Sequence, residues 1–286
     1  MKSFDTSDLN VIPLEDYRTI ILRMISDTEQ ALCHAPAGSL YIKKKSGGRT
    51  EYYHRLSGSN ARKIYLSPNQ PEQRERIRLL AQKDYDQKLL RLLKKIRKEI
   101  SFSGSTILSH NVQPPYRQID AVYYALSRER QAFVVPILPT TDQYVSEWLN
   151  TSYEKKPFKP DDKSAFYTRK KERVRSKSEL YIADQTDYLG IPRLYECPLY
   201  LGGKVLRPDF SILDVPYRRV KYLEHCGMMG HPEYDNQLLW KIQFYRDHGI
   251  RLGYDLILTF ESSEQPFDTR AFHDLMRQHF PWAFAK

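Results

Sequence analysis

The stretch that most constrains this chain is short. Residues 255–260 read DLILTF, almost wholly apolar, and lie between two segments of helical periodicity, 233–248 and 267–280. A run of this length is too short for a helix of its own and suits a strand buried on both faces. A chain that places such a strand between helices builds a helix-covered sheet, and the strand is expected at its centre. Upstream, 193–201, 204–213 and 220–226 read as three further strands, the first two joined at Gly202-Gly203, and a helix runs from about Ser178 to Gly190. The order is α-β-β-β-α-β-α, so the expected fold class is α/β (α+β).

The N-terminal half has a different pattern. Residues 14–32 form an amphipathic helix pattern through Ile20, Ile21, Met24, Ile25 and Leu32. Segments 39–45 and 51–56 flank Ser46-Gly47-Gly48 as a small β-hairpin, and 63–66 reads as a short third strand. A long helix is expected over 71–100, its stripe made by Ile77, Leu80, Tyr85, Leu89, Leu92, Leu93, Ile96 and Ile100. Residues 143–149 read as helical. Residues 151–173 are rich in Lys, Asp, Pro and Ser, the composition of a linker or exposed loop. The expected organisation is a mainly helical, basic region over 1–150, a linker over 151–172 and a second domain over 173–286.

Charge is unevenly placed. Formal net charge is +10 over 286 residues, yet residues 41–100 alone hold 17 Lys/Arg against 6 Asp/Glu. The remainder is therefore close to neutral. A basic block of this kind points to a polyanion, most often nucleic acid. Its candidate contacts are Lys43, Lys44, Lys45, Lys94, Lys95, Arg97 and Lys98. The competing reading is a solvated helix face whose cations complement the helix C-terminus.

Other classes are set aside. No run approaches the roughly 20 apolar residues of a membrane span, and 1–10 lacks the features of a signal or transit peptide. Three cysteines, Cys33, Cys197 and Cys226, are scattered and odd in number, which fits a reducing cytoplasmic setting and offers no CxxC zinc site. The templates GxSxG, GxxxxGKS, GxGxxG and HExxH are absent.

Strand alternation singles out two carboxylates. In the second C-terminal strand Leu206, Pro208, Phe210 and Ile212 share an apolar face and Asp209 points the other way; in the third, Tyr222, Glu224 and Cys226 share a face. If the two faces coincide, like charges meet across neighbouring strands, a costly arrangement unless a cation lies between them. An oxygen-preferring divalent ion such as Mg²⁺ is the simplest partner.

Here the chain resembles a family. VRSKSE (174–179), YECPL (195–199), RPDF (207–210), EHCGMM (224–229), KIQFYRDHGI (241–250) and LILTFES (256–262) are similar to motifs of the PD-(D/E)XK, restriction-endonuclease-like nuclease superfamily, in a branch found in bacterial and prophage genomes. The resemblance covers roughly 173–261. It implies an αβββαβ core and a Mg²⁺-dependent endonuclease (Mn²⁺ being the alternative ion) that hydrolyses DNA phosphodiesters with metal-activated water. Asp209 and Glu224 would be the metal ligands, with the His225 carbonyl beside them. The family's lysine usually stands where this chain has Cys226, and some members project it from the following helix instead, where Lys241 is the candidate. Glu179 would be the first-helix acid, although Ser176-x-x-Glu179 also reads as a capping box. Lys177 would lie near phosphate. Two alternatives stand: a catalytically inactive, nucleic-acid-binding relative, favoured by Cys226, and an RNA-directed nuclease of a mobile-element or defence system. A homo-oligomer or a partner protein is left open.

Overall fold

The computed structural model describes residues 14–56, 62–102, 116–158 and 165–285. They divide into two compact units, with the division falling between Gln143 and Tyr144.

In the N-terminal unit, helix α1 (Leu14–Cys33) is followed by strands β1 (Ser39–Lys44), β2 (Thr50–Arg55) and β3 (Lys63–Leu66), then by helices α2 (Pro71–Phe102), α3 (Tyr116–Tyr124) and α4 (Arg128–Gln131). The strands make an antiparallel sheet in sequence order. The helical periodicity of α2 becomes the core: Ile77, Leu80, Tyr85, Leu89, Leu93 and Ile96 are buried against Ile21, Met24 and Ile25 of α1 and Leu40, Tyr52 and Leu66 of the sheet. Helix α5 (Thr141–Leu149) crosses the division between the units.

The C-terminal unit contains a two-residue hairpin, β4 (Phe166–Tyr167) and β5 (Arg173–Val174), then α6 (Lys177–Tyr188), β6 (Arg193–Tyr195), β7 (Leu199–Leu201), β8 (Lys204–Leu206), β9 (Phe210–Asp214), β10 (Arg219–Met229), α7 (Pro232–Asp247), β11 (Leu256–Ser262) and α8 (Thr269–His279). Its mixed sheet has the order β11-β10-β9-β6, with β10 parallel to β11 and antiparallel to β9. Ile182 of α6 and Phe272 and Met276 of α8 pack on one face with Phe210, Ile212, Leu223 and Ile257. Tyr245 of α7 and Tyr144 and Trp148 of α5 pack on the other with Leu213, Tyr222 and Leu256. The chain is thus mixed α/β, as its patterning predicts.

Three expectations are corrected. The DLILTF strand lies at the sheet edge, not its centre. Helices cover both faces of the sheet, so an edge strand needs an apolar sequence as much as a central one. The long strands expected at 193–201 and 204–213 are each broken. Glu196 adopts a left-handed φ of 47° between β6 and β7, and Pro208, which has no N–H to give a ladder, separates β8 from β9. Finally, the boundary expected at 150 falls before Tyr144, and 151–172 is no free linker where it is described. Tyr153 donates its hydroxyl to the Tyr195 carbonyl at 2.8 Å, and Phe158 lies under the guanidinium groups of Arg173 and Arg175. No described helix is long and apolar enough to cross a membrane.

Candidate active site

Strand register brings the two carboxylates together. The β9–β10 ladder ends at Leu223 opposite Phe210. One step further along the same register, Glu224 stands opposite Asp209. Asp209 lies just outside β9, yet its Oδ2 accepts a 2.6 Å hydrogen bond from the backbone N–H of His225, which ties the loop to the next strand.

Helix α7 supplies the counter-charge. Lys241 and Tyr245 are four residues apart and share a helix face, and both reach the same oxygen of Glu224. Lys241 Nζ lies 2.6 Å from Oε1, and the Tyr245 hydroxyl donates to Oε1 at 2.7 Å. Tyr245 is fully buried and Glu224 nearly so, so water competes poorly for these bonds. Lys241 keeps 28 % of its side chain exposed.

The electrostatics of Asp209 follow from this packing. Desolvation is the leading cause that raises its pKa well above the ordinary carboxylate value; the charge of Glu224 comes next, and the His225 N–H and Lys241 oppose them. Cys226 shares the face of Glu224 and is buried. Burial first, then the charges of Glu224 and Asp209, push its thiol up to about 12, so it is a neutral group on the Glu224 face. Tyr234 on the first turn of α7 also feels Cys226 and both carboxylates.

Glu179 approaches from α6. Its backbone N–H donates to Ser176 Oγ at 3.1 Å, which is half of a capping box. Its carboxylate does not close the box on Ser176. Oε2 accepts instead from the Arg175 N–H at 2.9 Å and from the Tyr195 hydroxyl at 2.6 Å. The charge of Glu179 still contributes to raising the Asp209 pKa, so it lies within electrostatic reach of the pair. Lys177, on the same helix, is exposed.

His225 points away from Glu224, as strand alternation requires. Its Nδ1 lies 3.0 Å from Thr259 Oγ1, while Nε2 has no hydrogen-bond partner among the described residues and faces Glu261 Oε1 at 3.5 Å. Glu261 in turn accepts from Ser178 Oγ at 2.6 Å. Glu196 is held by Arg175 at 2.9 Å. His231 precedes α7, exposed and without a capping bond.

Patterning alone did not reveal the hydroxyls of Tyr195 and Tyr245 as carboxylate partners. Tyr245 carried a usable signal, since it follows Lys241 by one helical turn. Tyr195 did not, because it lies on a different element from Glu179, sixteen residues further along the chain.

Among the described residues, no group of three or more His, Cys, Asp or Glu side chains converges on a metal position. What the site offers a cation is the Asp209–Glu224 pair. The two opposed carboxylates are hard oxygen donors with one ammonium, Lys241, set against their charge, a donor set that fits Mg²⁺, which commonly takes one or two carboxylates and retains water.

The cations expected to contact nucleic acid lie in the N-terminal unit, apart from Lys177. Lys44 pairs with Glu129, Lys45 with Glu51 and Lys94 with Glu29, each at 2.7 Å, and Lys95 lies 3.8 Å from Glu99. Lys43, Arg97 and Lys98 are exposed. The basic block is therefore partly neutralised on its own surface. The Lys94–Glu29 and Lys95–Glu99 pairs are exposed on both sides, and such pairs are worth about 0–1 kcal/mol, so a phosphate can displace the acid at little cost.

Comparison with known proteins finds no match to a family model, to a curated protein or to a solved structure.

Proposed function

We propose that the C-terminal unit is a Mg²⁺-dependent endonuclease of the PD-(D/E)XK type, acting on DNA. The observation that carries this reading is the opposition of Asp209 and Glu224 at the end of the β9–β10 ladder, with Lys241 at 2.6 Å from Glu224. The element order α6-β6-β9-β10-α7-β11 supports it, because it is the order that the sequence motifs imply.

Asp209 and Glu224 are the residues that would hold the metal, which when bound polarises the phosphate and acidifies water. Tyr245 fixes the rotamer of Glu224. Lys241, partly open to solvent, places a positive charge where the phosphate develops negative charge. Glu179, oriented by Tyr195 and the Arg175 amide, adds a carboxylate at the edge of the site. Cys226 contributes no charge and favours a second reading, an inactive relative that binds nucleic acid without cutting it.

A plasmid-nicking assay with Mg²⁺, with and without chelator, separates the two. Nicking that requires Mg²⁺ and disappears in Asp209→Asn and Glu224→Gln, while DNA binding by fluorescence anisotropy is retained or tightened, is the expected result. Binding without cleavage under all metal conditions selects the inactive relative, and nicking that survives both substitutions overturns the site.

A further inference from the structure

The outer face of the β1–β3 sheet carries chemistry that the nuclease reading does not use. Tyr41, Tyr53 and Tyr65 are aligned in register across the three strands. Their ring centroids are 6.2 Å and 5.7 Å apart, tilted by 53° and 72°, so the rings do not close into one stacked column. Tyr41 is 37 % and Tyr65 46 % exposed, on the face opposite the core residues Leu40, Tyr52 and Leu66. Strand alternation places Lys43, Lys45, Glu51, Arg55 and Lys63 on this same face. Its one acid is already engaged: Glu51 accepts from Tyr53 at 2.8 Å and pairs with Lys45 at 2.7 Å. Among the described residues, no carboxylate lies within ion-pair reach of Lys43, Arg55 or Lys63, and Lys63 Nζ sits 3.9 Å above the Tyr41 ring.

We infer that this face is a binding platform for single-stranded nucleic acid, with bases stacking on the tyrosines and phosphates paired to Lys43, Arg55 and Lys63. Aromatic rings in a positively charged setting are what sequence-tolerant strand binding needs, because every base presents a π-face and every nucleotide a phosphate. A duplex does not suit this face, because its bases, stacked about 3.4 Å apart along each strand, already cover one another's faces, whereas the bases of a single strand can be splayed onto exposed rings. A tyrosine row that served only to pair the strands would need no cations around it. The inference uses residues of the N-terminal unit alone and does not depend on cleavage by the other unit.

The test is binding of the full chain to fluorescently labelled oligo(dT) and to a duplex of equal length, in chelator so that cleavage plays no part. Tyr41→Ala/Tyr65→Ala should weaken oligo(dT) binding about 30-fold or more, as loss of stacking on two bases requires, and should change duplex binding far less. Tyr41→Phe/Tyr65→Phe should restore it, since the ring and not the hydroxyl does the stacking. Should the alanine pair fail to fold by circular dichroism, ultraviolet crosslinking of the unaltered protein to 5-iodouracil-substituted oligonucleotide answers the same question. Crosslinks mapped by mass spectrometry to Tyr41, Tyr53 or Tyr65 support the platform. Crosslinks confined to other residues, or an alanine pair that folds and binds oligo(dT) like the parent, would show that the tyrosines only hold the strands together. Equal losses for single strand and duplex would also overturn it. Loss of nicking at Asp209 leaves all of these readouts unchanged.

Discussion

Desolvation and Glu224 together disfavour the charged form of Asp209, and the sign of that effect is testable. Its folded pKa is raised, first by desolvation and then by Glu224, above the value of about 3.9 for an exposed aspartate. Between the two values the folded state binds more protons than the unfolded chain, so this residue's contribution to stability is greatest at low pH and declines as pH rises through the folded pKa. Asp209→Asn can still accept from the His225 N–H and does not titrate. In chelator it should have a higher denaturant midpoint than the parent at pH 7, and the gap should close near pH 4. Mg²⁺ should raise the melting temperature of the parent and not of the variant. A variant less stable at pH 7 would mean that the pair is not repulsive. His279 works in the opposite sense. It is buried, and desolvation followed by the charges of Lys221 and Arg219 lowers its pKa from 6.5 to about 4. The unfolded chain then takes up the proton first, and about 3 kcal/mol of stability should be lost as pH falls from 6.5 through 4. His279→Gln should flatten that acid limb in urea titrations at pH 7, 6 and 5; an unchanged slope would place the acid sensitivity elsewhere.

At the scale of elements, the question is which one delivers the positive charge. Strand β10 presents Cys226, a neutral buried thiol, and helix α7 presents Lys241 to the same face. Lys241→Met keeps the aliphatic stem and removes the charge. It should reduce nicking about 10²–10³-fold, the usual consequence of losing one transition-state donor, with little change in melting temperature. Cys226→Lys in that background should recover part of the rate if the site accepts the charge from the strand. Parental rates for Lys241→Met would remove the lysine from the chemistry and leave it as a partner that steadies Glu224.

Across the whole molecule, the proposed chemistry and the excess charge belong to different units. Each has its own apolar core. Charge reversal at Lys94, Lys95, Arg97 and Lys98 should therefore lower the salt dependence of DNA binding while leaving the fold intact. Two of these cations are already paired with Glu29 and Glu99 at the surface, so part of the response should come from acids released on reversal. An identical salt slope in the reversed protein would make the basic face of α2 a solvated surface only.

Periodicity and alternation were enough to place most elements and several side-chain directions. The stripe of α2 predicts its buried face, alternation separates His225 from Glu224, and one helical turn joins Lys241 to Tyr245. These are local properties, written in neighbouring residues by backbone geometry. The tertiary structure decided what depends on register and closure. It set Asp209 opposite Glu224 where the ladder ends, moved DLILTF to the sheet edge, broke two strands at Glu196 and Pro208, turned the Glu179 carboxylate from its own cap to Tyr195, and paired the basic block with Glu29, Glu51 and Glu129. Such contacts join residues far apart in the chain, and their partners are selected by the packing of whole elements, which no local pattern records.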